Sequence, residues 1–330
     1  MLNSVAIDLT NHCNFDCVHC LRDKRSPRMH MDPDLMASIL DAISSVGIRN
    51  VCLTGGEPAL YPGLGRVFDL IADHKMGFSL VSNAFLFEEK IRPLLTPRIK
   101  LHLAGICFSL DGANAESHDL IRMKGSFERV INAIEVCATE KIPVSVKSIV
   151  HRKNMNGIVE VAHLCAAKGV ANLGYVLLTP TPRLVAGNLM PSAEDYDNII
   201  RYIKGRLMPS FAMEIGIEGY ADPEYRVSFC NPAQGIALDH LGNFIFCCNL
   251  SHPTNGDLPD VLGRECLGNI VDIGIEEGIL RHYRTLAGFM DGVIHSDPRK
   301  GGPVNCTECF RLFGKLAWMD KHEGPHDRNR

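Results

Sequence analysis

Three cysteines stand close together near the start of the chain, in the run Asn11-His12-Cys13-Asn14-Phe15-Asp16-Cys17-Val18-His19-Cys20. Their spacing is CxxxCxxC, directly after a short apolar stretch. Three thiolates on one short loop can ligate three irons of a cubane [4Fe–4S] cluster, which leaves the fourth iron without a protein ligand. An open iron can bind something small, and that turns an electron-transfer centre into a reactive one. Zinc completed by His12 or His19 is the rival reading, although zinc sites usually pair cysteines as CxxC twice, or CxxC with two histidines.

Other polar residues follow apolar runs. Thr54-Gly55-Gly56-Glu57-Pro58 comes after a strand at 51–54. Two glycines there expose backbone to close approach by a ligand, and Glu57 adds an acceptor for an ammonium group. A tight turn uses the same residues. Ser82-Asn83 follows a strand at 78–81 and offers two small side chains able to bond a ribose. Ser109-Leu110-Asp111-Gly112 follows a strand at 106–110. Each is weak alone. Polar tips after four successive strands point to one shared pocket.

The elements that must position these tips alternate. Strands at 5–9, 51–54, 78–81, 106–110, 144–150 and 173–178 are separated by helical stretches. Asp32-Pro33 caps the first helix, which carries Leu35, Met36, Ile39, Leu40 and Ile43 on one face and ends at Gly47. Ser126 caps another, and a third runs over 158–167 to Gly169. Six βα units in a row predict a parallel sheet, and near-continuous strand apolarity predicts cover on both faces. A doubly wound sheet and an incomplete (β/α)6 barrel fit this equally. The chemistry decides: the notable residues all follow strands, and in a barrel those ends share one mouth. The α/β class with a partial (β/α)6 barrel is therefore expected.

At 330 residues and 46% hydrophobic, the chain can bury one large core or two modest domains. A net charge of −4 without a basic block argues against nucleic acid. No apolar run is long enough for a bilayer, and the first residues lack the pattern of a signal peptide. With no export signal, the 13 cysteines read as reduced, cytoplasmic and partly metal-binding rather than as disulfides. Cys52, Cys107, Cys137 and Cys165 lie within apolar elements and read as small buried hydrophobes.

The cysteine run, the Gly-Gly-Glu-Pro after the second strand and the Ser-Leu-Asp-Gly after the fourth resemble the radical S-adenosylmethionine enzymes. The resemblance covers about residues 4–190. It implies a partial TIM barrel with a [4Fe–4S] cluster at its mouth, held by Cys13, Cys17 and Cys20. It implies that S-adenosylmethionine chelates the open iron through its amino and carboxylate groups. Gly55, Gly56 and Glu57 would face the methionine ammonium, Ser82 and Asn83 the ribose, and His19 the adenine. Ser109, Asp111 and Arg122 would hold the cofactor or shape the pocket. One electron from the reduced cluster would then give a 5′-deoxyadenosyl radical, which abstracts a hydrogen atom from substrate. A flavodoxin- or ferredoxin-type reductant is implied.

After residue 182 the pattern changes. One helix runs from Ser192 to about residue 207, and the remainder reads as irregular apart from a hairpin at 236–246 turning through Leu241-Gly242-Asn243. Cys230 is followed by eleven residues, Gly242, four residues and Cys247; Cys306 and Cys309 form a late CxxC. This resembles the auxiliary-cluster domain called SPASM in its full form and twitch in its short one. That resemblance implies a second [4Fe–4S] cluster on Cys230, Cys247, Cys306 and Cys309, with Cys248 and Cys266 left over. Zinc remains the alternative for the four-cysteine set. The expected domains are a barrel over 1–210, the auxiliary domain over 211–318 and a disordered tail over 319–330.

A fully ligated auxiliary cluster would accept an electron from a substrate radical, which suits a net two-electron oxidation. The expected substrate is a small molecule such as a sugar, cyclitol or nucleoside, because only twelve residues precede Cys13, without the peptide-recognition domain of about 80 residues that peptide-modifying members often carry, and because a single auxiliary cluster is expected. Modification of a ribosomally made peptide or protein is the alternative. A non-catalytic iron–sulfur carrier would leave the glycine and Ser-Leu-Asp-Gly motifs without a purpose.

Overall fold

The structure is a computed structural model that describes residues 2–21, 27–220, 231–250, 263–295 and 305–320. The opening helix shows how local sequence sets an element. Asp32 accepts hydrogen bonds from the amides of Asp34 and Leu35, Pro33 supplies a preset φ, and helix Pro33–Ser45 buries Met36, Ile39, Leu40 and Ile43 at helical spacing. Gly47, at φ 84°, turns the chain away after it.

Ten strands form one sheet among the described residues. They are β1 (Ser4–Asp8), β2 (Asn50–Thr54), β3 (Gly77–Ser82), β4 (Leu103–Ser109), β5 (Val144–Val150), β6 (Asn172–Leu177), β7 (Glu214–Glu218), β8 (Gly235–Leu238), β9 (Asn243–Ile245) and β10 (Cys266–Asn269). From β1 to β7 every neighbour is the next strand in sequence, and all are parallel. A doubly wound sheet reverses its strand order at a switch point, and this one does not. The winding is that of a barrel, with every βα loop at one end.

Three features differ from the sequence reading. β7 lies in the stretch read as irregular; its Glu-Ile-Gly-Ile-Glu sequence carries too few apolar residues to announce a buried strand. Helix Ser126–Thr139 is capped by Asp119, not Ser126: Gly125 N–H, Phe127 N–H and the Ser126 hydroxyl all donate to the Asp119 carboxylate. The strands also alternate rather than bury both faces. Val51, Leu53, Phe78, Leu80, Ile106, Phe108, Val144 and Val146 pack outward into the main core beneath the helices. The inner face carries Cys52, Ser79, Cys107, Ser145, Lys147 and Gly174, all only half-buried. Cys137 and Cys165 are core residues as expected, but Cys52 and Cys107 belong to this inner, polar face.

The sheet runs unbroken into the C-terminal region. β7 lies past residue 210 and pairs with β6, while β8 pairs in parallel with β1. The expected hairpin is β8–β9, with Gly242 at φ 81° in its turn. Helix Ile270–His295 is broken at Gly274 and lies so close to the hairpin that a Cβ on Gly278 would stand 2.2 Å from the Phe244 ring. A small apolar cluster of Phe246, Leu250, Phe310 and Leu316 joins helix Asn305–Leu312 to the hairpin, beside a fully buried Lys315–Glu265 ion pair. Cys230 and residues 321–330 of the expected tail lie outside the described residues. No helix among the described residues is long and apolar enough to cross a membrane.

Candidate active site

The cysteine loop leaves β1 and is stitched to the end of β2. Gly56 N–H donates to Thr10 O at 2.6 Å and Glu57 N–H to His12 O at 2.8 Å. The two glycines are needed for this contact. Gly55 sits at φ 125°, and a Cβ there would stand 2.5 Å from Thr10 O; a Cβ on Gly56 would stand 2.0 Å from His12 O. The close approach read from the sequence is thus made first by the loop's own backbone. Asn83 Nδ2 donates to Asn14 Oδ1 at 2.9 Å, so β3 also holds the loop between the first two cysteines. Arg183, just after β6, donates to Asp16 Oδ1 at 2.8 Å from the far side of the barrel.

Glu57 does not face the cavity as an idle acceptor. Its carboxylate receives Ser82 Oγ–H at 2.8 Å, Asn83 N–H at 2.8 Å and Ala59 N–H at 3.1 Å. Burial pushes its pKa up, and these three donors pull against that. Ser82 also accepts from Ala84 N–H at 3.0 Å, where Ala84 takes the left-handed φ of 65°. Glu57, Ser82 and Asn83 therefore form a polar brace joining β2 to β3.

A second brace is built on Asp111, which has no exposed surface. Arg122 Nε donates to Asp111 Oδ2 at 2.5 Å, and Ile149 N–H donates to Oδ1 at 3.0 Å. Asp111 N–H donates to His118 Nδ1 at 3.0 Å, and Asn154 Nδ2 donates to Asp111 O at 2.8 Å. Burial alone would raise the Asp111 pKa, but Arg122, His19 and His118 outweigh it and hold the carboxyl at about 2. His118 and Asn154 were not singled out by the sequence. An isolated histidine or asparagine in a connection carries no periodic signal, and only the fold brings them to Asp111.

Cys13, Cys17, His19, Cys20, Gly55, Gly56, Glu57, Ser82, Asn83, Ser109 and Arg122 all line one cavity at the mouth of the barrel, together with Phe15, Thr54 and Val81. Of the expected mouth residues only Asp111 stands outside it, behind Arg122. Burial pushes the Cys17 thiol up to about 11, against the pull of Arg122, whose own pKa the Asp111 carboxylate and the thiols raise despite burial. Among the described residues, no three Cys, His, Asp or Glu side chains converge closely enough to hold a single ion. Three thiols spread around a common cavity suit a cubane, which separates its ligands, better than one zinc ion. The donor set fits the cluster.

The second cysteine set is only partly gathered. Cys247 lies against Cys248 and within electrostatic reach of Cys306, and together with burial they push its pKa well up. Cys247 and Cys309 pack against the same Phe246 cluster. Cys266 lies on β10 opposite Ile245.

Comparison with known proteins agrees with this geometry. Residues 7–165 match the family model of the Radical SAM superfamily. The mycofactocin maturase MftC of Mycolicibacterium smegmatis is 32% identical over 318 residues, covering 89% of this chain and 76% of the maturase. The AdoMet-dependent heme synthase of Methanosarcina barkeri is 32% identical over 206 residues, covering 60% of this chain but only 56% of the synthase. Among solved structures, native anSMEcpe with bound AdoMet and Cp18Cys peptide superposes with a TM-score of 0.66 at 16% identity, over 96% of this chain and 98% of that one. The chain belongs to the radical S-adenosylmethionine superfamily, in the subgroup with a C-terminal auxiliary iron–sulfur domain. It is an enzyme of that family, using [4Fe–4S] clusters and S-adenosylmethionine.

Proposed function

We propose that this enzyme oxidatively modifies a ribosomally made peptide, with Cys13, Cys17 and Cys20 holding the mouth cluster and Cys230, Cys247, Cys306 and Cys309 an auxiliary one. The first cluster, when bound with S-adenosylmethionine and reduced by a flavodoxin- or ferredoxin-type donor, supplies a 5′-deoxyadenosyl radical, and the second supplies an electron acceptor. The chain's own residues do the positioning. Arg122, pinned by Asp111, holds positive charge beside the cavity for the methionine carboxylate. With Glu57 occupied by three donors, the methionine ammonium is left to the backbone carbonyls of the Gly55–Gly56 turn, and Glu57 acts by keeping that turn in place. Ser82 and Asn83 border the ribose side, His19 the adenine. The barrel expected over 1–210, extended by β7, would supply the radical chemistry, and the remainder of the domain expected over 211–318 the electron sink.

The observation that carries the peptide reading is the match to a mycofactocin maturase along 89% of this chain, together with the fold it shares with anSMEcpe, a structure solved with a bound peptide. It outweighs the small-molecule expectation. The test is anaerobic incubation of the loaded enzyme with reductant, S-adenosylmethionine and short peptides encoded beside its gene, alongside sugars and cyclitols. A peptide that loses two mass units while 5′-deoxyadenosine forms supports the reading; oxidation of a polyol alone overturns it.

A further inference from the structure

The inner face of the barrel carries one ion pair that the radical chemistry does not use. Lys147 projects from β5, and its Nζ lies 2.9 Å from Glu218 Oε2 on β7. The two strands are not neighbours: β6 runs between them. The pair closes over Gly174, which is in register with both Lys147 and Gly216. A Cβ on Gly174 would stand 3.0 Å from Glu218 Oε1, so glycine leaves the gap that the glutamate crosses. Lys147 is also in register with Ser109, which lines the cofactor cavity. The pair is therefore level with the floor of that cavity and on the same face as Cys107.

Each partner keeps about 40% of its side chain open (42% for Lys147 and 41% for Glu218), so the pair is not sealed as a structural strut would be. A strand position facing the helices would take an apolar residue, as Val146 and Ile106 do. The pair presents free donors and free acceptors side by side. A carboxylate ligand would meet repulsion from Glu218, and an ammonium would meet repulsion from Lys147. A neutral group with a donor and an acceptor on one edge meets neither. In extended backbone, the N–H and C=O of a single residue point the same way, which is how antiparallel strands exchange paired bonds.

We propose that Lys147 and Glu218 grip one residue of an extended peptide substrate inside the barrel, Lys147 donating to its carbonyl and Glu218 accepting from its amide. This rests on the peptide reading above. It makes the pair a specificity device that holds the residue to be oxidised beside the cofactor. Gly174 leaves the room over which the two partners meet, since a Cβ there would crowd Glu218 Oε1 at 3.0 Å.

The test uses the full chain with its clusters loaded, S-adenosylmethionine and a chemical reductant. Two probes are compared: N-acetyl-alanine methylamide deuterated on its α and β carbons, and perdeuterated glycerol. The readout is the fraction of 5′-deoxyadenosine that carries deuterium. The expected result is transfer from the dipeptide analogue and little from glycerol. Lys147→Met and Glu218→Gln should each lower the labelled fraction at least tenfold, and the charge swap of Lys147→Glu with Glu218→Lys should recover much of it. Equal labelling in wild type and both single variants overturns the inference while leaving the peptide reading standing. Labelling from glycerol and not the dipeptide overturns both. Labelling from neither overturns the inference and leaves the peptide reading to the longer peptides. A Lys147→Met variant that makes no 5′-deoxyadenosine at all places Lys147 at the cofactor and also overturns it.

Discussion

The mouth of the barrel and the C-terminal cysteine region both gather thiols, but they are assembled by different forces. At the mouth, the cysteine loop is tied by backbone and side-chain hydrogen bonds to β2, β3 and the segment after β6. Two buried carboxylates, Glu57 and Asp111, each collect several donors and fix the strand ends that face the loop. Protein alone shapes that site. Of the described C-terminal cysteines, Cys247 and Cys248 follow the β8–β9 hairpin, Cys266 lies on β10, and Cys306 and Cys309 lie on helix Asn305–Leu312, beside a small apolar cluster and one buried ion pair. Among the described residues these contacts are a few apolar side chains and one ion pair, and the cluster proposed on these cysteines would add to that order. A site built by hydrogen bonds keeps its shape when empty; one built by its metal does not.

The sharpest way to break this contrast is to remove one thiol from each site. Cys17→Ala takes away a proposed cluster ligand from the mouth cavity, and S-adenosylmethionine cleavage should fall below detection, with iron dropping from about eight to about four per chain by the cluster stoichiometry. Retained 5′-deoxyadenosine would refute the ligand assignment. Cys309→Ala should lose a similar amount of iron yet still cleave cofactor, because the mouth is held independently, while product formation stops. Equal product yields from Cys309→Ala and wild type would remove the electron-acceptor role.

A smaller effect should follow from the buried pair near the second site. Lys315 and Glu265 are 3% and 0% exposed, and Glu265 Oε2 has no hydrogen-bond partner among the described residues. Lys315→Met leaves a buried carboxylate uncompensated, which costs about 3–5 kcal/mol in comparable cases. The C-terminal region should therefore lose protease resistance and auxiliary iron, with the mouth cluster intact by its visible spectrum. Adding Glu265→Leu should restore most of the loss, since two apolar residues can replace such a pair. No recovery in the double variant would mean that the pair does more than fill space.

What the sequence revealed follows the same divide. β5 and helix Ile158–Ala167 fall at the expected bounds because their apolar periodicity is strong and turn residues flank them. The mouth residues were legible because a cluster needs cysteines at fixed spacing and because strand ends in a barrel converge. The reason for the glycines was not. Gly55 and Gly56 look alike whether a ligand or the chain's own backbone approaches them, and only the Thr10 and His12 carbonyls decide it. Glu57 and Ser82 were read as ligand contacts because local sequence cannot show that they bond to each other across 25 positions. β7 and the Lys147–Glu218 pair were invisible for a further reason: a strand lining a polar cavity loses the apolar signature by which buried strands are found.

The mouth's polar bracing should also leave a mark on how the protein responds to acid. His118 Nδ1 accepts the Asp111 amide proton, so the neutral ring carries its hydrogen on Nε2. Burial pushes its pKa down to about 4, only partly offset by Asp111. Its value in the unfolded chain lies near 6.5. The unfolded state therefore binds more protons between those limits, and stability falls as pH drops from about 6.5 towards 4. For His118 alone the loss between pH 7 and pH 5 comes to about 2 kcal/mol. His118→Asn keeps an acceptor for the Asp111 amide but cannot titrate. Urea midpoints at the two pH values should thus lie closer together in the variant than in wild type. An unchanged gap would show that acid acts elsewhere, and the contrast between a hydrogen-bonded mouth and a C-terminal region proposed to be braced by metal would then rest on the iron measurements alone.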